Sequence, residues 1–267
     1  MTSITITSLL NAYNIRDLGA LGDGNGDDVS AINHAITLAN ATSPAGGVVY
    51  APPGTYRVNS SIELRSNVTL LGAGRGTVFI LGTSAHVDVL TNANQASGIS
   101  NIRLRDFRVD GNRANNAAGT RHAIYMRNVT DFWIENVEGT SARADGFHFD
   151  ICEYGELRAC RAYSNGYDGF DLTQCIRVQC VGCRAIDNCR VDTAGNRDGY
   201  LLGMLSTNNQ LIGCVAEDTL GGGKRQGYGV RELLGALADQ NSIYGQGFVG
   251  NLSGATLTDG GSTVVQT

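Results

Sequence analysis

Three times the chain writes Asp-Gly-aromatic, as Asp145-Gly146-Phe147, Asp168-Gly169-Phe170 and Asp198-Gly199-Tyr200, at spacings of 23 and 30 residues. Cys160, Cys183 and Cys214 keep nearly the same time, at spacings of 23 and 31. Two unrelated marks sharing one period identify a repeated structural unit, and a period above about twenty residues with strand-like content identifies a solenoid. Asp-Gly supplies the turn, because glycine takes positive φ without a Cβ penalty. The aromatic then begins an alternating run. The expected fold is therefore all-β: stacked coils forming a parallel β-helix. The 36 glycines and only three prolines suit short strands joined by tight turns. One domain accounts for residues 1–267, with 1–60 as N-terminal cap and first coil, 61–251 as the coils, and 252–267 as a closing strand or tail.

Before the coils the pattern differs. Val29, Ile32 and Ile36 recur at helical spacing over Val29–Ile36, and Asp27 or Asp28 is placed to cap that helix. From residue 121 the coils overlay on their turn marks. The strands are then Ala123–Arg127, Gly146–Asp150, Gly169–Thr173, Gly199–Gly203 and Gly227–Arg231. Because side chains alternate along a strand, Ile124, Phe147, Phe170, Tyr200 and Tyr228 form one inward column. Met126, Phe149, Leu172, Leu202 and Val230 form the other, and both are core.

The outward columns of the same register carry the chemistry. One reads Tyr125, His148, Asp171; the other reads Arg127, Asp150, Thr173. At a coil spacing of roughly 4.8 Å these side chains share one patch. Only four histidines exist in the chain, and His148 falls in the middle of the patch, with His122 just before the first strand. Such a set suits removal of a proton next to a carboxylate, as at C5 of a uronic acid. Arg or a metal would stabilise the charge that develops there. A His near neutrality, or a Tyr with a lowered pKa, would take the proton. His148, Tyr125, Asp150, Asp171 and Arg127 are accordingly the catalytic candidates. Arg103, Arg105, Arg121, His122, Thr173, Leu201 and Arg231 are the substrate-binding candidates. No cofactor is required, though Asp150 and Asp171 offer oxygen ligands for Ca²⁺. The Asp145, Asp168 and Asp198 column reads as turn chemistry.

Cys180 and Cys183 form a C-x2-C that a zinc site would use. The register of Cys160, Cys183 and Cys214 instead favours a stack of small apolar side chains inside the coils. A net charge of −5 argues against nucleic acid as a partner. Met1-Thr2-Ser3-Ile4-Thr5-Ile6 shows neither a basic leader nor an apolar run. The expectation is a cytoplasmic chain, or one exported without a recognisable signal peptide, that engages a small molecule or oligosaccharide and no membrane.

The opening residues also resemble a known family. Asn14-Ile15-Arg16-Asp17-Leu18-Gly19-Ala20-Leu21-Gly22-Asp23-Gly24, then Asp27-Asp28, Ala35-Ile36, Gly46-Gly47-Val48 and Pro53-Gly54-Thr55-Tyr56, follow the opening block of the pectate-lyase superfamily. That resemblance implies a right-handed parallel β-helix whose N-terminal end is capped by the helix. The nearest resemblance within it is to the catalytic module of mannuronan C-5 epimerases. Val109-Asp110-Gly111-Asn112-Arg113 is similar to that family's L-D-G-N-R loop, and Asn165-Gly166-Tyr167-Asp168-Gly169-Phe170 to its N-G-x-D-G-F coil. The family's catalytic Y-G-F-D-P-H falls on Asp145-Gly146-Phe147-His148-Phe149-Asp150. Its Tyr is Asp145 here, its Asp and His are exchanged as His148 and Asp150, and its further Asp falls on Thr173. A Tyr comes only from Tyr125 one coil away. The resemblance implies a lyase or C5-epimerase acting on a uronic-acid polysaccharide. The alternatives are a pectate-lyase-like cyclase or isomerase of a natural-product (polyketide) pathway, with Leu201, Met204 and Leu205 lining its pocket, and a non-catalytic glycan-binding β-helix.

Overall fold

The computed structural model describes residues 12–42, 46–192, 196–220, 225–233, 240–251, 253–258 and 264–266. Each coil runs through three faces, and strands of successive coils pair in parallel, giving a right-handed parallel β-helix. The first face is an eight-stranded sheet. Its central strands are Ile124–Arg127, Phe147–Asp150, Phe170–Thr173, Tyr200–Leu202 and Tyr228–Glu232. The second and third faces belong to one fifteen-stranded sheet, because Ile99–Asp110 and Val129–Thr140 run round the corner between them unbroken.

Those corners are made by single left-handed residues stacked coil on coil. Asp106, Asn136, Ala159, Gly182 and Gly213, with φ between 51° and 60°, turn the second face into the third. Asn128, Ile151 and Gln174 turn the first face into the second at φ 55°–56°. Short polar side chains tolerate this conformation better than β-branched ones. Asn and Asp therefore do at several corners what glycine does at others.

Inside, aromatic rings stack along the axis. Phe147 lies 4.8 Å from Phe170, and Phe170 lies 4.9 Å from Tyr200, with rings within 11° of parallel. The expected inward columns hold from Ile124 and Met126 to Tyr200 and Leu202. At the next coil the register departs by two residues: Tyr200 pairs with Val230, and Leu202 with Glu232. The reason is local. Asp198 Oδ1 accepts the Tyr228 N–H at 2.7 Å, so Tyr228 occupies the place that a turn Asp fills on earlier coils.

All seven cysteines are buried and free. Cys160, Cys183 and Cys214 each donate a weak S–H bond to a carbonyl of the preceding coil, those of Ile134, Leu157 and Cys180. This is the inner stack, with no zinc set around the C-x2-C among the described residues.

The helix α1, Val29–Asn40, buries Val29, Ile32, Ala35, Ile36 and Ala39 over the N-terminal coil. Asp28 stands at its N-cap without a side-chain cap bond. Its carboxylate accepts the Leu21 and Gly22 N–H groups instead, while Asp27 Oδ1 takes the Val29 N–H at 3.2 Å. At the other end, Gly254–Thr258 and Val264–Gln266 add strands to the first and second faces. Residues 1–11, 252, 259–263 and 267 lie outside the described residues. No helix among the described residues is long and apolar enough to cross a membrane.

Candidate functional site

The first face presents the expected columns outward. Tyr125, His148, Asp171, Leu201 and Arg231 are successive partners in one column, and Arg127, Asp150 and Thr173 in the other. What organises the patch comes from the turn that precedes each strand. Asp145 is buried, and its Oδ1 accepts the Asp168 N–H at 2.8 Å, which ties two coils together. Its Oδ2 is free for the site and lies 2.9 Å from His148 Nδ1 and 3.0 Å from His122 Nδ1. His148 Nδ1 is also 3.3 Å from Asp171 Oδ2, and Thr173 Oγ1 donates to Asp171 Oδ1 at 2.7 Å. The rings of His122, His148 and Tyr125 pack on one another, with centroids 4.5 Å apart for the two imidazoles and 5.3–5.5 Å for each imidazole with the phenol.

Proton affinities follow from this packing. Burial opposes a charge on His148, but hydrogen bonds to Asp145 and Asp171, and their negative charge, outweigh it and push its pKa up to about 11. His148 is an imidazolium at neutral pH. Burial likewise opposes ionisation of Asp145, yet His122 and His148 hold its carboxyl well below the usual range. Tyr125 is raised above its ordinary value, first by burial and then by the Asp150 charge, so it stays a neutral phenol. The expected tyrosinate base is therefore not what this environment favours. Further along, burial and the charges of Asp145, Asp171 and Asp198 push Asp168 well up, beside Arg197 at 3.5 Å.

Two donor sets are close enough to hold a cation. The ligand atoms of His122, Asp145 and His148 lie within 4.8 Å of one another, as do those of Asp145, Asp168 and Asp171. Only the second is all-oxygen, the donor type Ca²⁺ takes. Asp150 belongs to neither; its carboxylate faces Arg127 Nε at 3.4 Å.

Not every expected residue reaches the patch. Arg103 and Arg105 sit on Ile99–Asp110, paired with Trp133 and Glu135 on the second face, and Arg105 Nε bonds Glu135 at 3.0 Å. The left-handed turn at Asn128 separates that face from the first, so neighbouring coils in sequence are not neighbouring surfaces. Arg121 is exposed at the strand entrance. Arg231 joins the column of His148 rather than that of Thr173, and its Nε meets Asp198 Oδ2 at 2.8 Å. Leu201 is 8% exposed, whereas Met204 and Leu205 stand 56% and 39% exposed, so the three do not form the enclosed wall a cyclase pocket would use. Asp145 is the residue the sequence reading assigned to the turn alone. Its spacing of three residues from His148 and 23 from His122 is the signal that finds it.

Comparison with known proteins agrees with the fold. The family model described as rhamnogalacturonase A/epimerase, pectate lyase-like, matches residues 12–210. The mannuronan C5-epimerase AlgE6 of Azotobacter vinelandii is 39% identical over 180 residues, covering 59% of this chain and 20% of that protein. Alginate lyase 7 of the same organism is 33% identical over 177 residues, again 59% of this chain and 20% of that one. The chain thus spans 20% of the length of these two relatives. Among solved structures, the pre-mature bacteriophage phi29 gene product 12 superposes with a TM-score of 0.60 at 20% identity, covering 86% of this chain and 36% of its own; that likeness concerns the fold alone. With three-quarters of its length inside the matched segment, the chain belongs to the rhamnogalacturonase A/epimerase, pectate lyase-like family.

Proposed function

We propose that the chain acts on a uronic-acid polysaccharide, removing the C5 proton as a lyase or C5-epimerase. The observation that carries this reading is one buried carboxylate oxygen, Asp145 Oδ2, shared by two imidazoles at 2.9 and 3.0 Å. The two rings are thereby differentiated. His148, held also by Asp171, keeps its proton and serves with Arg127 as the positive charge beside the substrate carboxylate. His122 directs Nδ1–H to Asp145, since a charge-assisted bond at 3.0 Å outranks the Asp145 N–H facing the same nitrogen at 3.3 Å. Its Nε2 is then the base.

The step balances with no reactant beyond solvent water. His122 takes the C5 proton, and the electron pair moves onto the carboxylate. Tyr125, protonated and packed against both rings, then gives up its proton. Because Tyr125 packs on His122, it stands on the same face of the sugar, and its proton, delivered to the C4 oxygen as the C4–O bond breaks, completes elimination. Epimerisation instead takes a proton from water on the opposite side of C5. Asp171 and Thr173 position His148, Asp150 positions Arg127, and Arg121 at the strand entrance and Leu201 and Arg231 along the column extend the substrate surface.

The test is incubation with polymannuronate and polygalacturonate in D₂O, with and without Ca²⁺. Proton NMR reads deuterium at C5, and ultraviolet absorbance reads the unsaturated end that elimination leaves. Deuterium or unsaturation, lost in His122→Gln, is the expected result. Neither product on any polyuronide, with or without Ca²⁺, overturns the proposal.

A further inference from the structure

The corner that leads from the third face back to the first carries a second, unrelated cluster. Arg113, Arg143, Arg190 and Arg225 sit on turns of this corner, all half-buried. Arg113, Arg190 and Arg225, with Leu220, line a cavity of about 450 Å³. None of the four arginines makes an ion pair among the described residues, although the chain as a whole carries a net charge of −5. Their hydrogen bonds go to backbone carbonyls. Arg113 Nη1 donates to Ala142 and Ser164, Arg143 Nε to Ala117 at 2.7 Å, and Arg225 Nη1 to Arg190 at 3.0 Å. Arg143 Nη1 is buried with no partner. Asp110 is the carboxylate nearest in influence to Arg113, and it is already engaged by Arg108 at 2.8 Å.

Like charges gathered in a partly desolvated cavity repel, and the guanidinium of Arg113 shows it. Its pKa is lowered by burial first and then by Arg190 and Arg143, with Arg225 adding to the effect. The side chains of Arg113, Arg143 and Arg225 lean on backbone carbonyls. The neighbouring Asp218 carboxylate is engaged by the backbone N–H groups of Leu220, Arg225 and Gln226, so an external anion would complete such a cluster. Guanidinium forks match planar carboxylates in a bidentate manner. Arg143, whose charge acts on Arg113, stands two residues before Asp145, which places this edge of the cluster next to the turn that also supports the site.

We infer that Arg113, Arg143, Arg190 and Arg225 form an anion subsite that holds carboxylate groups of a uronate oligomer outside the reacting position. This rests on the polyuronate reading above for the identity of the anion, though not for the existence of the subsite. The subsite gives a polymer grip on the turn side of the first face, separate from the imidazoles.

Calorimetric titration of the full chain with a mannuronate oligomer, a neutral oligosaccharide of equal length and inorganic phosphate tests it, with turnover assayed separately. Arg190→Gln is the informative variant, because the Arg190 side chain makes no hydrogen bond or ion pair within the described residues and its removal leaves the turn intact. The expected result is oligomer binding weakened about tenfold in Arg190→Gln and about a hundredfold in Arg190→Gln/Arg225→Gln, at about tenfold per lost charged contact. The neutral oligosaccharide should be unaffected. Equal oligomer affinity in wild type and Arg190→Gln overturns the inference, and so does binding of phosphate without binding of the oligomer. Oligomer binding lost in Arg190→Gln, with no turnover in the wild type, upholds the subsite and removes only the catalytic reading.

Discussion

Asp145 and Asp198 occupy equivalent turn positions two coils apart, and each gives its Oδ1 to a backbone N–H of the following coil, from Asp168 at 2.8 Å and from Tyr228 at 2.7 Å. Their second oxygens face different company. Asp145 Oδ2 meets two imidazoles, whereas Asp198 Oδ2 meets the guanidinium of Arg231 at 2.8 Å. Two imidazoles hold the Asp145 carboxyl down, while burial carries Asp198 up to about 6 despite Tyr228 and Arg231. One scaffold position therefore holds a pair of imidazoles on one coil and a guanidinium two coils further on, and the neighbour on Oδ2 sets the proton affinity of the turn aspartate.

The largest effect expected from that contrast is on turnover. His148→Gln removes the imidazolium, and kcat should fall by at least about 10²-fold, with circular dichroism unchanged. A fall of only a few-fold would erase the distinction between the two coils. Next comes stability. Asp145→Asn breaks a buried charged cluster and should lower the urea-unfolding free energy by about 3 kcal/mol. Asp198→Asn should lower it by less.

The pH dependence sharpens the contrast because the signs are opposite. Asp145, depressed below 3.8, contributes stability that is present above that value and lost as pH falls through the acid range. Asp198, raised to about 6, contributes stability present below 3.8 and lost as pH rises through about 6. His148 contributes stability that is complete below 6.5 and lost as pH climbs towards about 11. Urea midpoints followed across pH should show Asp145→Asn flattening the acid limb, His148→Gln the alkaline limb, and Asp198→Asn the decline between 3.8 and about 6. Arg231→Gln should have the smallest effect, about 1 kcal/mol by the same unfolding assay, with kcat changed less than threefold or so.

Much of the architecture could be read before any coordinates. Columns from Ile124 to Leu202 followed from the turn marks because Asp-Gly fixes where each strand begins. That logic misplaced the next coil: Gly227-Tyr228 imitates a Gly-aromatic start, while Tyr228 in fact stands where an Asp stands elsewhere. The second face was hidden for a different reason. Its boundaries are made by Asn128, Ile151 and Gln174, and only the first is a residue type that favours a left-handed φ. Arg103 and Arg105 consequently looked adjacent to His148 and are not. Asp145 was legible as a turn residue and illegible as a site residue, because its two oxygens do separate jobs and sequence shows only that an aspartate is there.

The ladder of turn aspartates also bears on how such a chain can change length. Each Asp bonds the backbone of the next coil, so the linkage between coils does not depend on which coils are joined. Excising residues 145–167, one full 23-residue repeat, would bring Asp168 into the place of Asp145 and Phe170 into that of Phe147, with the turn and the aromatic stack restored. The excised chain would carry Asp171 where His148 had been. Duplication and loss of repeats thus cost the scaffold little while rewriting the outward column, and a lineage of such chains can gain or discard the His148 imidazolium in a single recombination event, with His122 left in place, without passing through an unfolded ancestor.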